Sequence, residues 1–101
     1  MFRTSVRLHS RVTFFTRSPC SLCDSAKRVV KNVQAHKGFA YKEIDVMEPG
    51  QEKWRSVYEF DTPVIHIDKA SATETTTSAL KLMHRFSEDD VLEKLAEAER
   101  L

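Results

Sequence analysis

Residues 13–30, TFFTRSPCSLCDSAKRVV, change from one periodicity to another within a few positions. The β-branched and aromatic residues of 11–16 predict a buried strand that ends at Ser18-Pro19. Apolar residues then recur at helical spacing: Leu22, Ala26, Val29, Val30 and Val33. Cys20 and Cys23 stand at the junction, spaced C-x-x-C. The pattern therefore predicts an α/β fold that begins with a strand followed by a helix, with the two cysteines at the start of the helix.

The middle of the chain predicts two further strands with a short helix between them. Alternating residues at 39–46 indicate the second strand, and TPVIHID, 62–68, indicates a third. That third strand begins at Pro63, where a missing N–H disturbs a ladder least. The helix shows one apolar face, with Phe60 near its end: Trp54, Val57 and Tyr58. Trp54 and Tyr58 are expected in the core.

The last third of the chain predicts a polar loop, a short strand and a helix. ASATETTTS, 70–78, has no apolar face and is expected to be a mobile loop, while ALKLMHRF can supply a fourth strand. Ser87 is followed by three acidic residues, which is typical of a helix N-terminus. The inward face of this helix is assigned to Val91, Leu92 and Leu95. The predicted element order is β-α-β-α-β-β-α.

Size and charge limit the classes of protein. The chain has 101 residues, 41% apolar and 31% charged, which suits one globular domain. A net charge of +1 gives no argument for nucleic acid, and no apolar run approaches the roughly 18 residues of a membrane span. We expect a monomer with no nucleic-acid or membrane partner.

The N-terminus is basic. Arg3, Arg7, Arg11 and Arg17 precede the first acidic residue, Asp24. Such a composition occurs in organellar targeting segments, although this one is short. We predict a basic extension at 1–10 and one domain at 11–101. The expected location is cytoplasmic, with mitochondrial targeting as the alternative.

The position of Cys20 at a helix start favours thiol chemistry. Unpaired backbone N–H groups and the helix dipole stabilise a thiolate there, and such placement lowers a cysteine pKa from about 8.5 to between roughly 3.5 and 7.5. Cys23, one turn further in, can attack a mixed disulfide formed on Cys20. Asp24 would oppose the effect.

Three other interpretations of the cysteines stay open at this point. Two buried small hydrophobes are one, because free cysteine is often buried. Structural zinc is another, but after Cys23 and His36 no fourth ligand follows at zinc-finger spacing. The third is an iron-sulfur cluster shared between two chains and completed by outside thiols. We predict neither a metal nor a tightly bound cofactor.

Two motifs give the chain a resemblance to a known family. The sequence T-R-S-P-C-S-L-C after a strand, together with Thr62-Pro63-Val64, resembles the glutaredoxin-like branch of the thioredoxin fold, in its short type with C-S-L-C. The ending HRFSEDDVLEKL is similar to the closing helix of such proteins. The resemblance implies a central mixed four-stranded sheet flanked by helices.

The resemblance also implies roles for individual residues. Cys20 would be the nucleophile, Cys23 the resolving cysteine and Pro63 a cis-proline facing them. The Thr62 backbone would pair with a substrate or with glutathione. Arg17 occupies the position of a lysine that meets a glutathione carboxylate in many relatives. Substrate or glutathione contacts are further assigned to Ser21 and Leu22.

Two features depart from the family pattern. Ser21-Leu22 replaces the usual Pro-Tyr of active dithiol glutaredoxins. The Gly-Gly pair that receives the γ-glutamyl end of glutathione is absent, and KASATETTTSALK stands there instead. His66, on the third strand, is expected to be structural rather than a proton carrier.

Two functions follow from these observations. The first is a thiol-disulfide oxidoreductase acting on protein or glutathione mixed disulfides, with glutathione as a co-substrate. The alternative is a catalytically weak binding module for peptides or for a subunit-bridging iron-sulfur cluster. Fold alone does not decide between them.

Overall fold

The structure, a computed structural model, describes residues 9–101 and contains seven elements in the predicted order. The elements are β1 Arg11–Thr16, α1 Ser21–His36, β2 Ala40–Asp45, α2 Glu52–Tyr58, β3 Val64–Asp68, β4 Leu80–Met83 and α3 Glu88–Glu99. Most of the extension predicted at 1–10 lies outside the described residues. Within residues 9–101, no helix is long and apolar enough to cross a bilayer.

The four strands form one mixed sheet in the order β2-β1-β3-β4. β2 runs parallel to β1, β3 is antiparallel to β1, and β4 is antiparallel to β3. The parallel pair requires a long crossover, which α1 supplies. The predicted α/β fold with a central mixed four-stranded sheet is confirmed.

The central strand β1 is buried on both of its faces. Val12 and Phe14 point into a core with α1 and α3, whereas Phe15 points into a core with α2. All three side chains are at most 1% exposed. This double burial explains why the strand reads as a continuous apolar and β-branched run.

Helices α1 and α3 cover one face of the sheet. The buried side chains of the two helices are Cys23, Ala26, Val30 and Val33 in α1 and Val91, Leu95 and Ala98 in α3. Both sets follow helical spacing, so each helix buries a single stripe. Leu22 and Val29, predicted on the same stripe, are half-buried at its edges.

Two apolar residues assigned to inward faces are exposed, and both predictions are wrong. Leu92 is 40% exposed, because the buried stripe of α3 follows positions 91, 95 and 98 and leaves position 92 on its flank. Val57 is 39% exposed, because the seven-residue helix α2 buries only Trp54 and Tyr58. The third strand also begins one residue later than predicted, at Val64.

The predicted N-cap of α3 is confirmed and forms a capping box. The Ser87 hydroxyl accepts from the Asp90 N–H at 3.1 Å, and the Asp90 carboxylate accepts from the Ser87 N–H at 2.8 Å. Both bonds satisfy donors that have no partner inside the helix.

We expect Ser87→Ala to lower the free energy of unfolding by about 1 kcal/mol, because the cap hydroxyl is lost. Urea unfolding measures the change. Ser71→Ala, at an exposed position of the loop after β3, is the control and should leave stability within about 0.5 kcal/mol of wild type. Equal free energies of unfolding for both variants would contradict the expected contribution of the cap to stability.

Candidate functional site

The two sequence motifs meet at one end of the sheet because of strand register. Phe15, next to the last residue of β1, pairs with Val64, the first residue of β3. The segment after β1 carries the cysteines, and the segment before β3 carries Thr62-Pro63. Antiparallel pairing therefore places both motifs at the same edge.

The two cysteines lie at the beginning of α1 with their sulfur atoms at disulfide-bonding distance. Cys20 is the N-cap residue in an extended conformation, and its Sγ accepts a hydrogen bond from the Cys23 N–H at 3.1 Å. Cys20 is half-buried, whereas Cys23 is only 2% exposed. The predicted helix start is confirmed, and the pair can cycle between dithiol and disulfide.

The peptide bond between Thr62 and Pro63 is cis. Pro63 is buried and Thr62 is half-buried. The Pro63 carbonyl accepts from the His84 N–H at 2.8 Å, directly after β4. Three chain segments therefore converge here: the one before β3, the one after β4 and the one that carries the cysteines.

His84 has a backbone conformation that is uncommon for a side-chain-bearing residue, with φ of 65°. Its imidazole Nε2 lies 3.7 Å from a carboxylate oxygen of Asp61, and both side chains are about half exposed. The β4–α3 turn is thereby joined to the α2–β3 loop through side chains as well as through backbone.

Arg17 joins the cysteine-bearing loop to the α2–β3 loop. Its Nη1 donates to the Glu59 carbonyl oxygen at 2.7 Å. The expectation that Arg17 binds a glutathione carboxylate stays a prediction, but the guanidinium already has a partner within the chain.

A depression of about 510 Å³ lies beside the cysteines and includes Arg17, Cys20 and Cys23 in its lining. Its charged lining residues, all within 9–101, are Arg17, Lys27, Asp24, Glu43, Asp45 and Glu48. Lys27 is paired with Glu43 at 3.1 Å. Carboxylates therefore outnumber cations by four to two, and the side chains that line the depression carry a net negative charge.

The two residues between the cysteines differ in surroundings. Ser21 is exposed at the first position of α1. Leu22 is half-buried and lines a shallow cleft of about 150 Å³ that also contains Val29 and Phe86. Leu22 thus lies on the side of α1 that faces the β4–α3 turn, whereas Ser21 is exposed to solvent.

His66 lies in the interior, as the structural interpretation predicted. It is 0% exposed, and its ring bonds Tyr58 and Thr75 on opposite sides. Burial raises the pKa of Tyr58, with a further contribution from Asp61, so the phenol stays protonated and its hydroxyl shares a hydrogen bond with His66 Nε2. On the other side of the ring, Nδ1 of His66 and the Thr75 hydroxyl share a hydrogen bond of 2.8 Å. The loop predicted to be mobile is thus anchored at Thr75.

The imidazole of His66 is held neutral. Burial, aided by the nearby Lys81 ammonium, lowers the pKa of His66 to about 4. His66 belongs to the aromatic cluster of Phe15, Trp54 and Tyr58, at ring-centroid distances of 4.7, 5.6 and 5.5 Å respectively. It is part of the core beneath α2 and is buried away from solvent.

The sequence interpretation missed two residues of this region. The sequence contains no signal that His84 faces Asp61 or that its backbone has a positive φ, although histidine is among the side chains that tolerate one. Phe60 was treated as the end of an apolar helix face, but its side chain is 87% exposed. No local pattern indicated this exposure, because it depends on α2 ending at Tyr58.

The sheet order, the flanking helices and the helix-capping cysteine pair together define a protein of the thioredoxin-like fold. The chain belongs to the family described as Glutaredoxin-like domain (DUF836), whose sequence model matches residues 11–96. The glutaredoxin-like resemblance seen in the sequence is confirmed.

Solved structures support the same fold at low sequence identity. Chloroplastic thioredoxin z has a TM-score of 0.70 and 19% identity, over 94% of this chain and 82% of that one. Target protein XcR50 from X. campestris has a TM-score of 0.62 and 18% identity, over 86% and 97%. Thioredoxin O2 from Arabidopsis thaliana, in the oxidised state, has a TM-score of 0.63 and 12% identity, over 89% and 75%. These likenesses show the fold.

The low pKa of His66 predicts a pH dependence of stability. The unfolded histidine titrates near 6.5 and the folded one near 4, so the unfolded state binds more protons between these values. The free energy of unfolding should therefore fall as the pH falls through this window, by about 3 kcal/mol in total.

Urea unfolding at a series of pH values measures this effect. His66→Gln should be less stable at neutral pH and should lose the part of the slope that belongs to His66. His36→Gln, which replaces an exposed histidine, is the control and should keep it. An unchanged slope in His66→Gln would show that other groups cause the acid sensitivity.

Proposed function

We propose that this protein is a thiol-disulfide oxidoreductase in which Cys20 is the nucleophile and Cys23 resolves the intermediate. The observation that carries the proposal is the N-cap position of Cys20, whose sulfur accepts the Cys23 N–H at 3.1 Å. A thiolate at this position accepts the same bond and lies at the positive end of the α1 dipole. The half-buried Cys20 can meet a substrate, and the buried Cys23 cannot.

The reaction transfers two electrons in two exchanges. In the reduced protein, the Cys20 thiolate attacks one sulfur of a substrate disulfide, and the other substrate sulfur leaves as a thiolate that takes a proton. Cys23 then loses its proton and attacks the Cys20 sulfur, which releases the second substrate thiol. The substrate is reduced to two thiols, and the protein ends with the Cys20–Cys23 disulfide.

A reductant from outside the chain completes the cycle. A dithiol, or two molecules of glutathione, reduces the Cys20–Cys23 disulfide by the same exchange in reverse. Glutathione is proposed here as a co-substrate only, without a tightly bound cofactor. The cis Thr62-Pro63 segment at the same sheet edge supports the proposal, since its backbone can align an extended substrate segment with the cysteines.

We expect Cys20 to react with iodoacetamide at lower pH than an ordinary thiol. In Cys23→Ser the chain has a single thiol, so the alkylation rate reports Cys20 alone, and its midpoint should lie below about 8.5. Asp24→Asn in the same background should lower the midpoint further, because it removes a negative charge one turn from the sulfur. Asp89→Asn, in the first turn of α3, is the matched control and should not.

A midpoint at or above that of free cysteine would contradict an activated nucleophile. It would favour the alternative in which the fold is kept for binding.

Cysteine variants separate the two steps of the reaction. We expect Cys20→Ser to lose disulfide reduction completely, because the attacking sulfur is absent. Cys23→Ser should retain the first exchange and accumulate a mixed disulfide on Cys20, since resolution is lost. The two readouts are turnover of 2-hydroxyethyl disulfide with dithiothreitol, above the uncatalysed rate, and the intact-protein mass of the pre-reduced protein after 2-hydroxyethyl disulfide alone. Full turnover by Cys20→Ser would refute the proposed roles.

A further inference from the structure

Phe60 is an apolar side chain that the fold leaves in solvent. Its ring is 87% exposed, whereas Trp54 and Tyr58, on the helix just before it, are buried. A single exposed hydrophobe is ordinary on protein surfaces. Phe60 differs because the residues on both sides of it, Glu59 and Asp61, are held by contacts with other parts of the chain.

Three contacts hold the residues around Phe60. The Glu59 carbonyl accepts from Arg17 Nη1 at 2.7 Å, and the Asp61 N–H donates to the Tyr58 carbonyl at 3.0 Å. The Asp61 carboxylate faces His84 Nε2 at 3.7 Å. These contacts fix the residues before and after Phe60, so the ring is presented from a defined loop.

The loop lies beside the cysteines. Arg17, which bonds Glu59, lines the same 510 Å³ depression as Cys20 and Cys23. The chain then continues from Phe60 through Asp61 into Thr62-Pro63, at the cysteine end of the sheet. Phe60 is therefore an exposed aromatic side chain on a loop that is bonded to the cysteine-bearing segment through Arg17 and continues into Thr62-Pro63.

The charges of the depression indicate which kind of disulfide fits. Among the described residues that line it, four are carboxylates and two are cations, and one of those cations, Lys27, is paired with Glu43. Each half of glutathione disulfide carries two carboxylates and one amine, so its net charge is negative. Like charges make it a poorer fit to this site than a basic segment, which the carboxylates attract.

We propose that the substrate is a protein disulfide whose cysteine lies between an apolar and a basic side chain. Phe60 contacts the apolar side chain, and the carboxylates beside the cysteines attract the basic one. The inference rests on the proposed function and names its substrate class. The exchange of bonds and electrons is the one given above, with the protein disulfide as the oxidant of the dithiol.

The test compares blocked peptide disulfides with a small uncharged one. The probes are the homodimeric disulfides of the peptides Leu-Cys-Lys, Ala-Cys-Lys and Leu-Cys-Asp, together with 2-hydroxyethyl disulfide. We expect Phe60→Ala to reduce the Leu-Cys-Lys disulfide about tenfold more slowly than wild type, equivalent to about 1.4 kcal/mol. Its rate with 2-hydroxyethyl disulfide should stay within twofold.

Leu101→Ala is the matched control. Leu101 is 71% exposed and lies near Ser10 and Lys69, at the end of the sheet opposite the cysteines. It should reduce all four disulfides at the wild-type rate. Wild type should also prefer Leu-Cys-Lys to Leu-Cys-Asp at low salt, and this preference should shrink in about 1 M salt, where the screening length is about 3 Å.

Each result has one meaning. Equal rates for Phe60→Ala and wild type with the Leu-Cys-Lys disulfide would overturn the inference, and so would a preference of wild type for Leu-Cys-Asp. Normal turnover of 2-hydroxyethyl disulfide in the same experiment would leave the proposed function standing. A wild-type protein that reduced none of the four disulfides would overturn both.

Discussion

The antiparallel pairing of β3 with β1 determines where everything functional in this chain lies. Because the two strands run in opposite directions, the first residue of β3, Val64, is opposite Phe15 near the end of β1. A parallel arrangement would have brought Asp68 to that edge and moved Pro63 to the far end. The Phe15 ring also packs on Trp54 and Tyr58 at 4.6 and 5.1 Å. Phe15 therefore takes part both in the pairing of β1 with β3 and in the packing of helix α2 on the sheet.

The fold could be predicted from local periodicity because most elements bury one regular stripe. Strand β1 reads as a double-buried strand, α1 follows the 3.6-residue period, and Ser87 with Asp90 forms a recognisable cap. The two misassigned residues, Val57 and Leu92, are apolar and adjacent to true core positions. Periodicity alone cannot show how wide the buried stripe of a helix is, since its neighbours decide that width.

The cysteine pair was visible in the sequence because a spacing of three at a helix start has few interpretations. Its surroundings were not, because they depend on contacts between distant segments. Nothing local indicates that Arg17 bonds the Glu59 carbonyl or that Thr75 bonds a buried histidine. The exposure of Phe60 has the same origin. Helix α2 ends at Tyr58, and the residues on either side of Phe60 contact Arg17 and His84. The position of the cysteine pair at a helix start was therefore predictable, and the contacts around it were not.

Helix α1 begins on a sulfur atom rather than on the hydroxyl or carboxylate oxygen that most helices use. The atom that closes the first turn is also the one proposed to exchange covalent bonds. A charged thiolate is a stronger hydrogen-bond acceptor than a disulfide sulfur, so the bond from the Cys23 N–H is strengthened when the pair is reduced. One backbone hydrogen bond at the start of α1, from the Cys23 N–H, therefore changes in strength with the oxidation state of the cysteine pair.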